Sequence, residues 1–199
     1  DGDTVVVGAY RKGDYTGAAY VYRTSDGGAT YGQVAKLTAS DGAADDYFGR
    51  SVAISGDSVV VGAYYDNING GAGGYNNGQG SVYVFRTSDG GATYVEVAKL
   101  TASDAAANDW FGYSVAIDGA TVAILGGGSV YIFRTTDGGG TWSQVAKLVT
   151  SDGVFISPVA ISGDVVVAGA FYDDSIASNA GAAYVFSGAG SEGLVAGSD

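Results

Sequence analysis

Two loops set carboxylates beside an aromatic ring. Ser40–Gly49 reads SDGAADDYFG and holds Asp41, Asp45, Asp46 and Tyr47; Ser103–Gly112 reads SDAAANDWFG and holds Asp104, Asn108, Asp109 and Trp110. Tyr65-Asp66 and Tyr172-Asp173 head two longer polar stretches in the same way. Acids next to exposed rings suit carbohydrate recognition, or a cation held by oxygens. The candidate ligand-binding residues are therefore Asp45, Asp46, Tyr47, Tyr65, Asp66, Asp109, Trp110, Tyr172 and Asp173. The plainer alternative is that the aspartates shape turns and the rings begin core strands. Neither loop has the acid spacing of an EF-hand, and DNING at Asp66–Gly70 puts Ile68 where a ligand is needed.

A second kind of stretch looks like chemistry but reads better as architecture. RTTDGGGTW, Arg134–Trp142, follows RTSDGGATY at Arg23–Tyr31 and again at Arg86–Tyr94. In each, an aspartate (Asp26, Asp89, Asp137) can accept hydrogen bonds from N–H groups of its own turn. Gly28, Gly91 and Gly139 permit positive φ, and Thr30, Thr93 and Thr141 add local hydrogen bonds. Tyr31, Tyr94 and Trp142 then cover the hairpin. These residues are expected to be structural.

Composition closes off most mechanisms. The 199 residues include no Cys, His or Met, so disulfides, zinc sites and Ser/His or Cys/His catalysis are excluded. A net charge of −12 offers no basic footprint for nucleic acid and would be repelled by an anionic membrane surface. No apolar run approaches the ~20 residues of a membrane-spanning helix, so membrane insertion is not expected. Arg23, Arg86 and Arg134 occupy one repeated position and are expected to radiate outward, not to converge on a substrate. Glu96 and Glu192 are the only glutamates, and the aspartates sit in turns, so no glycosidase carboxylate pair stands out. The chain is read as a non-enzyme without a cofactor, with calcium at the acidic loops the one cation left open.

The elements that position these loops are repeats. FGRSVAISGDSVVVGAYYD from Phe48, FGYSVAIDGATVAILGGG from Phe111 and FISPVAISGDVVVAGAFYD from Phe155 are versions of one unit, and the opening DGDTVVVGAY joins it part-way. One unit reads as four strands: Ser51–Ser55, Ser58–Tyr64, Ser81–Thr87 and Val95–Ala102. In SVYVFR, Tyr83 and Phe85 point one way and Val82 and Val84 the other, so both faces are apolar and the sheet must be sandwiched. This predicts an all-β, β-propeller-type repeat of four-stranded antiparallel blades, about four blade equivalents, with a flat two-sheet sandwich second. The units are 1–47 (partial), 48–110, 111–154 and 155–199 (partial). Part of a larger propeller completed by other chains is the alternative. Lys36, Lys99 and Lys147 recur in VAKL and read as lysines that guard an outer edge.

FGRSVAISGDSVVVGAYYD…GSVYVF resembles the FG-GAP repeat of integrin-α-like propellers, through Phe48-Gly49, Phe111-Gly112 and VVVGAY. The Asp turns resemble the Asp-box of sialidase-like propellers. The resemblance implies a propeller fold and a calcium loop between the first two strands. Here that connection is only SGDS, DGAT or SGDV, too short for six to eight oxygen ligands, so that site is not carried over.

Strand parity places the short hairpins and Asp turns at one end of the blades and the acidic and length-variable loops at the other. The expected role is an extracellular structural or adhesive module that self-associates head-to-tail, into a filament or surface layer, or binds other surface proteins. The alternative is carbohydrate- or cation-dependent recognition by the variable-loop end, with glycans as partners. The opening unit lacks its first strand. The apolar run Leu194–Ala196 is a candidate to fill that gap, in the same chain or the next one.

Overall fold

The computed structural model describes residues 1–74, 78–149, 158–170 and 181–188, with the backbone of 195–197. The described residues form four antiparallel meander sheets. The first holds β1 (Thr4–Gly8), β2 (Ala19–Arg23) and β3 (Gly32–Leu37); the second holds β4 (Ser51–Ser55), β5 (Ser58–Ala63), β6 (Ser81–Arg86) and β7 (Val95–Leu100). The third holds β8 (Val115–Asp118), β9 (Thr121–Gly126), β10 (Ser129–Arg134) and β11 (Ser143–Leu148). The fourth holds β12 (Val159–Ser162), β13 (Val165–Ala170), β14 (Ala182–Ser187) and β15 (Val195–Gly197). Short β-branched runs between glycine-containing turns give these strands, and Gly56 supplies the left-handed first turn position (φ 54°) of the β4–β5 hairpin.

The sheets pack side by side as blades. Their inner edges follow one another, β1 to β4 to β8 to β12, and among the described residues no substantial contact returns from the fourth sheet to the first. Alternation sends each blade's side chains into two cores. Tyr83 and Phe85 pack with Phe48, Val59 and Val61 against Ala19 and Val21 of the first blade. Val82, Val84 and Val60 pack against Phe111, Val122 and Ile124 of the third. Val130 and Ile132 do the same towards Val166, Tyr184 and Phe186 of the fourth. The second and third sheets are thus sandwiched, as two apolar faces require, while Val5 and Val7 of the first and Val167 and Val185 of the fourth stay exposed.

The glycines of FG and VVVGA mark where backbones meet. A Cβ on Gly62 would overlap the carbonyl oxygen of Gly112, and one on Gly8 that of Gly49. The Phe beside each FG glycine fills the seam: Phe48 lies edge-on to Tyr83 and Phe85 (5.5 and 6.0 Å), and Phe111 likewise to Tyr131 and Phe133 (5.3 and 5.9 Å). A bulge recurs at one place in three blades, between Val21/Tyr22, Val84/Phe85 and Ile132/Phe133.

Two expectations are corrected. Val195–Gly197 does not return to the first sheet; it pairs antiparallel with β14 as the fourth strand of its own blade. Among the described residues the first sheet has three strands, in the order β1-β2-β3. The VAKL lysines lie on outer strands, but two of them are engaged and do not act as free edge guards. Lys99 Nζ contacts Asp41 Oδ2 at 2.6 Å and Asp66 Oδ2 at 2.8 Å, and Lys147 Nζ contacts Asp104 Oδ2 at 2.7 Å. Opposite charges placed within reach by the repeat outweigh solvent exposure of the amine.

Candidate functional site: the variable-loop end

The two ends of the blades differ in kind. At the hairpin end, each first hairpin is tied to the one before. Gly56 N–H donates to Asp1 Oδ2 (2.6 Å), Gly119 N–H to Ser55 Oγ (3.0 Å) and Gly163 N–H to Asp118 Oδ2 (2.6 Å). The Asp turns lie at this end. Asp137 Oδ1 accepts from Thr135 Oγ1 (2.8 Å), Gly140 N (2.9 Å) and Thr141 N (3.0 Å), and Oδ2 accepts from Thr141 Oγ1 (2.8 Å). Asp26 and Asp89 accept the matching bonds from Thr30 and Thr93. In all three, hydrogen bonds from the turn's threonines and backbone hold the carboxyl well below the usual carboxylate range. Trp142 Nε1 donates to Gly139 O at 3.1 Å. Arg23 donates to Gly90 O, and Arg134 Nη2 reaches Asp164 Oδ1 at 3.4 Å, so these arginines link neighbouring blades and do not gather on one point.

At the other end the rings gather. Tyr47 stacks on Tyr10 (5.7 Å) and Tyr15 (5.1 Å) and meets Tyr64 (5.6 Å) and Tyr65 (4.9 Å) edge-on. Tyr65 lies 6.3 Å from Trp110, and Tyr64 lies 5.4 Å from Tyr113. Arg50 sits among them. Its Cζ is 4.8 Å from the Tyr113 ring and 5.8 Å from the Tyr10 ring, and its Nη2 donates to Tyr113 Oη at 3.3 Å. The acidic loops deliver these rings by an uncommon backbone route. Asp45 and Tyr47 (φ 63° and 60°) and Asn108 and Trp110 (φ 69° and 54°) are left-handed at matching positions. In each loop a carboxylate closes the turn: Ala43 N–H donates to Asp46 Oδ2 (2.6 Å) and Ala106 N–H to Asp109 Oδ2 (2.7 Å).

Next to Tyr47 and Tyr65 in the chain stand two buried acids whose charges interact. Asp46 and Asp66 are 1% and 3% exposed. Asp66 accepts from Ser81 Oγ and contacts Lys99. Burial pushes the Asp46 carboxyl up to about 6, opposed by the Ala43 N–H and reinforced by the charge of Asp66. Asp46 Oδ1 has no hydrogen-bond partner among the described residues. Gly73 takes up the concavity that this oxygen lines with Asp45 O and Tyr65 O, since a Cβ there would overlap them. Among the described residues no three acidic side chains converge as a metal site.

The structure thus joins Tyr47, Tyr65 and Trp110 in one ring network and buries Asp46 and Asp66, which adjoin Tyr47 and Tyr65 in the chain. Asp45 ties its loop to the β1–β2 connection, its N–H donating to Asp14 O (3.1 Å), and Asp109 closes its own turn. Tyr172 and Asp173 lie outside the described residues. The sequence reading passed over Tyr10, Tyr64, Tyr113 and Arg50. Their signal was position. Tyr10 and Tyr64 share one repeat position after Gly-Ala, and Arg50 and Tyr113 share another after Phe-Gly. Repeated positions on inner strands converge, whereas those on outer turns diverge.

Four-bladed sheet packing with inner edges in sequence defines a β-propeller-like repeat protein. The chain belongs to the FG-GAP repeat family, whose profile matches residues 31–85, 94–133 and 142–186. Each match begins at a fourth strand and runs through the first three strands of the next blade, so sequence repeat and sheet are out of phase. FG-GAP repeats are typical of extracellular adhesive and recognition modules. No curated protein matches the chain.

Proposed function

We propose that the chain is an extracellular structural or adhesive module that packs head-to-tail with further copies, and that it has no catalytic role. One contrast in exposure carries this reading. Val59 and Val61 are completely buried against the first blade, yet their counterparts Val5 and Val7 are 41% and 48% exposed. Val60 and Val84 are buried against the third blade, yet their counterparts Val167 and Val185 are 39% and 45% exposed. The first blade therefore presents the face that receives a preceding blade, and the fourth presents the face that meets a following one. A face and its complement on one chain favour heterologous association. Sedimentation velocity at micromolar concentration tests this. Concentration-dependent association that Val7→Asp or Val185→Asp abolishes is expected; a monomer at every concentration sinks the self-assembly reading.

A second reading rests on the ring cluster. Tyr47, Tyr65, Trp110 and Arg50 offer flat apolar faces and one cation, a combination that suits a glycan with an acidic group. A glycan array read with and without EDTA tests it, and the absence of binding above background removes it. Calcium dependence stands or falls with the EDTA arm.

A further inference from the structure

Two seams between blades carry the same three-residue socket. At the first, Ser40 N–H and Oγ–H donate to Glu96 (2.9 and 2.8 Å). Asp41 accepts from Tyr83 Oη at 2.8 Å and from Lys99 Nζ at 2.6 Å. At the second, Ser103 N–H donates to Gln144 Oε1 at 3.0 Å. Asp104 accepts from Tyr131 Oη at 3.0 Å and from Lys147 Nζ at 2.7 Å. In both, the Ser-Asp that follows one blade's fourth strand enters a socket built on the third and fourth strands of the next. Cross-strand pairing fixes the socket: Tyr83 faces Lys99 and Tyr131 faces Lys147, while Glu96 and Gln144 pair with Phe85 and Phe133.

The first blade has the same parts. Tyr20 faces Lys36 and Tyr22 faces Gln33. Gln33 and Lys36 are exposed, and among the described residues none of Tyr20, Gln33 and Lys36 has a Ser-Asp seated on it. The uncovered Val5 and Val7 lie on the same side of the sheet as Tyr20 and Tyr22, since Val7 pairs with Tyr20 and Val5 with Tyr22. We propose that Tyr20, Gln33 and Lys36 form a docking socket for another blade of this repeat type, specific for the Ser-Asp after that blade's fourth strand. The serine N–H meets the Gln33 amide oxygen, and the aspartate takes the Lys36 ammonium and Tyr20 hydroxyl. Val5, Val7 and Tyr22 receive the blade's apolar face.

The proposal rests on the blade-against-blade reading for the face it uses, and adds what that face recognises. The test supplies such a blade. Residues 48–117 are fused ahead of Asp1, so that the extra copy of Ser103-Asp104 precedes the first blade and the extra β8 joins it. Lys36→Ala is expected to lower the melting temperature of the extended chain by about 2–4 °C, and Lys147→Ala is expected to do the same. Lys36→Ala should leave the 199-residue chain within about 1 °C. Aspartate to asparagine in the extra Ser-Asp should match Lys36→Ala, and the double change should cost no more than either alone. Lys36→Ala that is silent in the extended chain overturns the socket, as does an extended chain whose added blade melts separately. Sedimentation of the 199-residue chain reports on self-assembly independently, so either idea can fail alone.

Discussion

Lys99, on the outer strand of the second blade, holds Asp41 of the loop leaving the first blade at 2.6 Å, and reaches the buried Asp66 at 2.8 Å with the same amine. Among the described residues Lys147 makes only the first kind of contact, with the half-exposed Asp104. Removing the Lys99 amine strands a buried carboxylate, whereas removing that of Lys147 frees an exposed one. Lys99→Ala is therefore expected to cost about 3 kcal/mol and Lys147→Ala less than about 1 kcal/mol. Urea denaturation of the two variants decides it, and equal losses would refute the difference in burial as the cause.

Gly62 is where the second blade's backbone meets the Gly112 carbonyl of the third. Gly62→Ala is expected to cost about 3 kcal/mol, because neither backbone can retreat without opening two cores. Gly32, at the start of β3, has nothing near its would-be Cβ. Gly32→Ala should be neutral or stabilise by up to about 1 kcal/mol. Thermal unfolding of the pair separates steric fit from glycine content.

The Asp turns predict an acid limb. Asp26, Asp89 and Asp137 have carboxyls held below their ordinary range. Their contribution is present above the unfolded value near 4 and is lost as pH falls below it. Asp89→Ala should lower the melting temperature at pH 7, and the loss should shrink when the comparison is made near pH 2. A constant difference across that range would mean the carboxylate is not the source.

Asp46 predicts the opposite limb. Its folded carboxyl titrates at about 6, above its unfolded value of 3.8, so the folded state holds the extra proton in between. Stability from this group is present below about 4 and is lost as pH rises through about 6. Asp46→Asn should stabilise the protein at pH 7, by at most about 3 kcal/mol, and flatten the slope between pH 4 and 6. A variant with the parental slope would place the titration elsewhere.

Much of the fold was legible because repeats make each strand testable against its copies. The alternation in SVYVFR located two cores correctly, since side-chain direction in a strand follows from parity alone. Strand parity also separated a uniform end from a variable one. The ring cluster was legible only in part. Tyr47, Tyr65 and Trp110 stand out beside acids, whereas Tyr10, Tyr64, Tyr113 and Arg50 carry no acidic neighbour that marks them. The lysines misled because VAKL viewed alone is an outer strand, and nothing local says that Asp41 of another unit lies within 2.6 Å of Lys99.

By itself the sequence determined the all-β repeat, the positions of the strands to within one or two residues at their ends, and the two-faced blades, because periodicity and turn chemistry act over a few residues. It also excluded thiol, imidazole and zinc chemistry by composition. Tertiary structure alone decided which repeated positions converge. Blades that pack by their inner edges bring Tyr47, Tyr64, Arg50 and Tyr113 together at one end and send Arg23 and Arg134 outward to neighbouring blades. It alone seated Val195–Gly197 on β14, where hydrogen bonds to an adjacent strand were nearer than those of a distant sheet. It alone also revealed the seam from Ser-Asp to Tyr, Lys and Glu or Gln, because those partners lie 27 to 58 residues apart and meet only when one blade closes on the next.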